Sequence, residues 1–151
     1  MNKRFFFIIL LITILNDSCS TSKIPLTLKE KNFLENWKED YISLYYDSKA
    51  IKENRQDGIY KIVYSYYNTY YKNSVFCGKD TNYIKQQAFQ IVKVVKNVMG
   101  YRNNHQFIDI IISSDEKGWR KNSEGENISC SYTIRYDIAS LKSKVISRYT
   151  N

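Results

Sequence analysis

Asp80-Thr81-Asn82-Tyr83-Ile84-Lys85-Gln86-Gln87-Ala88-Phe89-Gln90-Ile91-Val92-Lys93-Val94-Val95-Lys96-Asn97-Val98-Met99-Gly100 is the stretch on which the reading of the fold turns. Ile84, Ala88, Ile91, Val92, Val95, Val98 and Met99 recur at three- and four-residue spacing, so they form one apolar stripe on a helix. Asp80 is suited to accept the first orphan amides as an N-cap, and Gly100 to end the helix.

On either side of this helix the period changes from 3.6 to 2. Upstream, residues 59–67 alternate, with Tyr60, Ile62, Tyr64 and Tyr66 set against Ile59, Lys61, Val63, Ser65 and Tyr67. Downstream, Phe107–Ser113 is apolar throughout except for Asp109 and the terminal serine, the composition of a strand covered on both faces for much of its length. Strand, helix and strand in that order make a crossover unit, which requires the two strands to be parallel.

A third strand, residues 128–138, alternates strictly: Ile128, Cys130, Tyr132, Ile134, Tyr136 and Ile138 on one face, Ser129, Ser131, Thr133, Arg135 and Asp137 on the other. It pairs antiparallel with the second strand through a loop over residues 114–127. Near the start, Thr27-Leu28-Lys29-Glu30 has the form of a capping box. Phe33, Leu34, Trp37, Tyr41, Leu44 and Tyr45 then predict one helix over residues 28–47. Leu141, Val145 and Tyr149 predict a short closing helix. The expected architecture is α+β: a small mixed three-stranded sheet packed with helices, in the order α-β-α-β-β-α, forming a single domain over residues 27–151.

The first residues do not belong to that domain. Lys3 and Arg4 precede Phe5–Leu15, an apolar run broken only by Thr13. A positive n-region followed by an h-region is the pattern of a signal peptide. The run is too short for a permanent span, which needs about 20 apolar residues. After it the chain turns polar at Asn16-Asp17-Ser18-Cys19-Ser20-Thr21-Ser22-Lys23. Cys19, behind a small residue just past the apolar run, resembles the lipobox cysteine of bacterial lipoprotein precursors. Leu15 lies four residues before it, and Asn16 stands where that family usually carries an aliphatic residue. The resemblance covers the signal segment alone. It implies residues 1–18 as signal, Cys19 as the lipidated first residue of the mature chain, residues 19–26 as a tether, and the cell envelope as destination. The alternative is ordinary cleavage after Ser20, where Ser18-Cys19-Ser20 satisfies the small-x-small rule, and a secreted soluble product.

The whole chain holds 23 basic and 15 acidic residues, a formal net charge of +8. A basic surface favours anionic partners. An exported protein does not meet nucleic acid as its ordinary partner, and no run of five or six like charges forms a basic tail. The expected partners are a membrane, through the lipid, and a protein.

Once Cys19 is assigned to lipid, Cys77 and Cys130 fall at the same end of the expected sheet. An oxidising compartment allows a disulfide between them; the other reading is two separate thiols. His105 is the sole histidine and lies in the polar run Asn103-Asn104-His105-Gln106. It is expected on the surface, separated from Cys77 by a helix about 30 Å long, so a nucleophile–base pair is not formed. One histidine and three scattered cysteines offer no metal-ligand spacing, and no glycine-rich phosphate loop occurs, so no metal or cofactor is expected.

Two aromatic features complete the candidates. Trp119, between Lys117 and the pair Arg120-Lys121, is a candidate interface anchor in the loop joining the second and third strands; alternatively it folds back over the sheet edge. Tyr67, Tyr70 and Tyr71 fall outside the buried alternation of their strand and are candidates for contact with a partner. The leading expectation is a non-enzymatic, lipid-anchored binding module. A second is a binder of an anionic glycan or lipid headgroup through basic and aromatic residues. A third is an enzyme using dispersed acids such as Asp109 or Asp137.

Overall fold

The computed structural model of the chain describes residues 24–37, 41–66, 77, 80–115, 125 and 129–150. Within them run α1 (Leu28–Asn36), β1 (Tyr41–Tyr45), α2 (Ser48–Lys52), β2 (Gly58–Tyr66), α3 (Thr81–Val98), a 3₁₀ turn (Arg102–Asn104), β3 (His105–Asp115), β4 (Ser129–Asp137) and β5 (Ser143–Thr150). The five strands form one sheet in the order β1-β2-β3-β4-β5. β2 and β3 are parallel, joined through α3, and every other neighbouring pair is antiparallel.

The class is α+β as expected, but the three-stranded sheet and the α-β-α-β-β-α order are wrong, and both errors lie at the ends of the domain. The helix expected over 28–47 ends at Asn36, and Tyr41–Tyr45 is a strand beside β2. Ile42 and Leu44 face Tyr64 and Ile62 across the ladder while Tyr45 stays exposed. In so short a segment a helical spacing (Tyr41, Leu44, Tyr45) and an alternating one (Ile42, Leu44) are both present, and β2 supplies the pairing that decides for strand. Asp47 then caps α2 by accepting a hydrogen bond from the Ala50 N–H at 3.0 Å.

The closing helix is likewise a strand. Asp137 accepts from the Ser140 N–H at 2.7 Å, Leu141 takes a positive φ of 55°, and the chain turns back along β4. Without β5, β4 would present a bare edge of unpaired backbone groups. Val145, Ile146, Tyr149 and Thr150 are residues that suit a strand.

The expected crossover unit is present. Asp80 caps α3 through the Tyr83 N–H at 2.8 Å, and Ile84, Ala88, Ile91, Val92 and Val95 are buried. They pack on a face built from Tyr60 and Ile62 of β2, Ile108, Ile110 and Ile112 of β3, and Tyr132, Ile134 and Tyr136 of β4. The Tyr136 hydroxyl donates to the Lys85 carbonyl at 3.0 Å, tying β4 to α3, and burial pushes its pKa up to about 12. Phe33 of α1 joins the same core.

The opposite face of the sheet differs from expectation. On β3, Phe107 and Ile111 are only half-buried, so the strand is fully covered on one face alone. Among the described residues no helix is long and apolar enough to cross a membrane.

Candidate functional site

Two polar assemblies and a disulfide mark the molecule. The first assembly is built on Glu30, which lies on the same face of α1 as Phe33 and is fully buried. Its Oε2 accepts from the Thr27 N–H at 2.8 Å, the Thr27 hydroxyl at 2.7 Å and the Tyr46 hydroxyl. Its Oε1 accepts from the Tyr60 hydroxyl at 2.7 Å and the Gly100 N–H at 3.0 Å. Burial opposes ionisation, but the hydrogen bonds from Tyr46, Thr27, Gly100 and Tyr60 outweigh it and hold the carboxyl below its ordinary range. Burial and the adjacent carboxylate push Tyr46 and Tyr60 the other way, well above the usual phenol. The result is an ionised carboxylate that, among the described residues, is solvated by neutral donors rather than paired with a cation.

His105 packs against Tyr46 and Tyr60 at the edge of this network, with ring centroids 6.0 and 5.6 Å away. It is buried, contrary to the surface position expected from its polar neighbours. As the first residue of β3, it pairs with Gly58, which turns its ring inward while Asn103 and Gln106 stay exposed. Nδ1 lies 2.9 Å from the Tyr101 carbonyl, which can only accept, and Nε2 accepts from the Asp47 N–H at 3.4 Å. The ring is therefore neutral with its proton on Nδ1. Burial lowers its pKa, outweighing the opposite pull of the Tyr101 carbonyl, Asp47 and Glu30.

Three connections meet at this end of the sheet: α2 to β2, α3 to β3, and β4 to β5. Each holds one non-glycine residue with positive φ: Asn54 (50°), Tyr101 (49°) and Leu141 (55°). Such conformations cost on the order of 1 kcal/mol apiece and persist where surrounding contacts impose them. Here Asn104 Nδ2 donates to the Arg55 carbonyl at 3.0 Å, and Ile138 N–H to the Gln106 carbonyl at 3.0 Å. Between the loops lies an open groove of about 450 Å³.

The second assembly crosses the open face of the sheet. Register places Tyr45, Lys61, Asp109, Arg135 and Lys144 in one row, one residue per strand from β1 to β5. Arg135 donates to both oxygens of the buried Asp109, at 2.7 and 2.8 Å, and lies 5.2 Å over the Phe107 ring. Hydrogen bonding to Asp109 raises the Arg135 pKa further. With Asp109 neutralised, Lys61 and Lys144 remain as exposed cations, about 14 Å apart across three strand spacings.

Cys77 and Cys130 form a disulfide, Cα atoms 5.6 Å apart, at the end of the sheet opposite the groove. Neither is a free thiol, so the reading of two separate thiols is set aside. The remaining expected site residues, Cys19, Tyr67, Tyr70, Tyr71, Trp119, Arg120 and Lys121, lie outside the described residues. Of the acids considered for catalysis, Asp109 is committed to Arg135, and Asp137 holds Ser140 through its N–H and its hydroxyl at 2.7 and 2.8 Å. Among the described residues no three His, Cys, Asp or Glu side chains are grouped to hold a metal ion.

The Glu30 network was not anticipated as a site, although its signal was present: a glutamate three residues ahead of Phe33 shares that residue's inward face. Comparison of the chain with protein-family models, with curated proteins and with solved structures finds no match.

Proposed function

We propose that the chain is an exported binding module, held to the cell envelope by lipid on Cys19, that docks onto another protein. The observation that carries this reading is the Cys77–Cys130 disulfide, because such bonds persist in oxidising compartments and are rare in reducing ones. It agrees with the charged and apolar leader Met1–Leu15. Binding rather than catalysis is favoured because the buried acid and base groups, Glu30, His105 and Asp109, are each committed to bonds that hold the fold.

The tether meets the domain at Thr27, whose N–H and hydroxyl are fixed by Glu30 beside Gly100. An extended segment from Cys19 to Thr27 spans at most about 28 Å. Lipid on Cys19 would therefore hold Thr27, at the groove-bearing end of the domain, within about 28 Å of the bilayer.

Intact mass spectrometry of protein purified from its native membrane, with and without reductant, tests this. An acylated N-terminal Cys19, with Cys77 and Cys130 protected until reduction, is expected. A soluble product beginning near Thr21 would discard the anchor. Alanine at Trp119, Arg120 and Lys121 together should release a partner captured by the wild type; retention of every partner would discard that contact surface.

The row across the sheet favours a second reading, binding of an anionic glycan or lipid headgroup by the exposed cations Lys61 and Lys144, near the ring of Tyr45. Binding of dextran sulfate should then weaken as added salt shortens the Debye length below about 10 Å, and weaken further in Lys61→Ala/Lys144→Ala. Salt-insensitive binding would count against it.

A further inference from the structure

We propose that the groove at the loop end of the sheet is a binding site for an uncharged, hydroxyl-bearing sugar, a site separate from both contact surfaces above. At about 450 Å³ the groove falls within the roughly 300–1,000 Å³ range of small-molecule sites. Its walls bring together Gln56 from the α2–β2 connection, Arg102, Asn103 and Gln106 from the α3–β3 connection and the start of β3, and Asp137 from the end of β4.

Four of these side chains are uncommitted. Gln56, Arg102, Asn103 and Gln106 are exposed and make no side-chain hydrogen bond, ion pair or ring contact among the described residues. Three are primary amides, each offering two donors and an acceptor in one plane. A sugar hydroxyl is itself both donor and acceptor, so vicinal hydroxyls match such groups. A simple anion or cation uses only half of what an amide offers.

Charge points the same way. Arg102 and Asp137 carry opposite signs, and His105 at the base of the groove is neutral, so the lining has no net charge to select a polyanion. Ala139 is exposed on the groove wall and offers a small apolar surface to the C–H face of a ring, while Ile138 beneath it is buried in the core. No strand edge is offered here, because the groove lies at the ends of the paired β2, β3 and β4, and an extended peptide would find no ladder to join.

The site is also built in advance. Glu30 holds Gly100, His105 holds Tyr101, and Asn104 ties the α3–β3 connection to Arg55. A ligand therefore meets a framework already ordered, and less of the binding energy is spent on ordering loops.

The experiment is a two-dimensional ¹H–¹⁵N NMR titration of the mature chain, reading the side-chain NH₂ pairs of Gln56, Asn103 and Gln106 and the Nε–H of Arg102. The probes are maltotriose, cellotriose, mannotriose and tri-N-acetylchitotriose, with trigalacturonate as the charged control. The expected result is saturable shifts of these resonances with at least one neutral trisaccharide. Affinity should fall at least tenfold in Asn103→Ala/Gln106→Ala, with an unchanged thermal midpoint. The proposal is overturned if no neutral sugar moves these resonances, if trigalacturonate alone does, or if the double variant binds as the wild type does.

Discussion

Gly100 donates its backbone N–H to Oε1 of Glu30 at 3.0 Å, across seventy residues of sequence. The same carboxylate holds Thr27, where the chain enters α1, so one side chain joins the start of the domain to the end of its longest helix. Replacing Glu30 with alanine leaves two tyrosine hydroxyls, the Thr27 hydroxyl and two backbone amides without their acceptor. Each orphaned buried group costs about 1–3 kcal/mol, not additively, and the expected loss is about 3–5 kcal/mol. Urea denaturation of Glu30→Ala should show a lower midpoint at unchanged slope. A loss under 1 kcal/mol would mean that the network does not hold the fold.

Gly100 is needed for close approach. A Cβ on it would stand 2.5 Å from Thr27 Cγ2 and 2.8 Å from the Tyr46 hydroxyl. Gly100→Ala must therefore open the packing around Glu30 and should cost about 1–3 kcal/mol, as overpacking does. The double variant Gly100→Ala/Glu30→Ala should lose less stability than the sum of the two single losses, because the second change removes part of what the first disturbs. Full additivity in denaturation midpoints would contradict this.

Acid should weaken the fold in two stages. His105 has a folded pKa below its ordinary 6.5, so the unfolded chain takes up the proton first. Its contribution to stability is complete above about pH 6.5 and is lost as the pH falls below that. Glu30 has a folded pKa below 4.5, so its contribution is present above 4.5 and is lost as the pH falls through the folded value. Denaturation midpoints measured from pH 8 to 3 should begin to decline as the pH falls below about 6.5 and decline further below 4.5. Glu30→Gln should diminish the lower stage, leaving the share of Asp47 and Asp137, whose carboxyls are also held below their ordinary value by the Ala50 and Ser140 N–H groups, and should leave the upper stage unchanged. A single transition unaffected by that variant would refute the assignment.

How much of this was legible in the sequence depends on which elements had long, unambiguous periods. The helix after Asp80 and the strand around Tyr132 each satisfied one period over many residues, and both stand where expected. Tyr41–Tyr45 and Ser143–Thr150 were too short or too mixed, and there the free edges of β2 and β4 chose strand over helix. The polar neighbours of His105 predict a surface position, but parallel pairing with Gly58 turns it inward. The spacing of Thr27 and Glu30 predicts a capping box, and the Glu30 carboxylate is half of one. Its second role required Tyr46, Tyr60 and Gly100 to arrive from distant strands and loops, and no local pattern encodes that meeting.

The disulfide closes a sequence separation of 53 residues. In the chain-entropy account, a loop of that length stabilises by about 4 kcal/mol through restriction of the unfolded chain. Cys77→Ser/Cys130→Ser should lower stability by about that amount, and wild type measured in reductant should match it. Agreement between the two would place the effect in the crosslink rather than in serine's effect on packing. A variant as stable as the oxidised wild type would show that the bond contributes nothing.

Asp109 and Arg135 give the last test, because their pairing lies on the half-exposed face rather than in the core. Asp109 is buried to within 9% of its side-chain surface and Arg135 to within 24%, so removing Arg135 strands a carboxylate in poor solvent. Arg135→Met is therefore expected to cost about 2 kcal/mol and Asp109→Leu somewhat less, since arginine reaches water more readily. In Asp109→Leu/Arg135→Met both charges are gone and neither is stranded, so the double variant should be more stable than Arg135→Met alone. Chemical denaturation of the four proteins closes the cycle, with an expected coupling of about 0.5–3 kcal/mol. Zero coupling would mean that the two charges are solvated independently, and the cation row would then carry Arg135 as a free charge alongside Lys61 and Lys144.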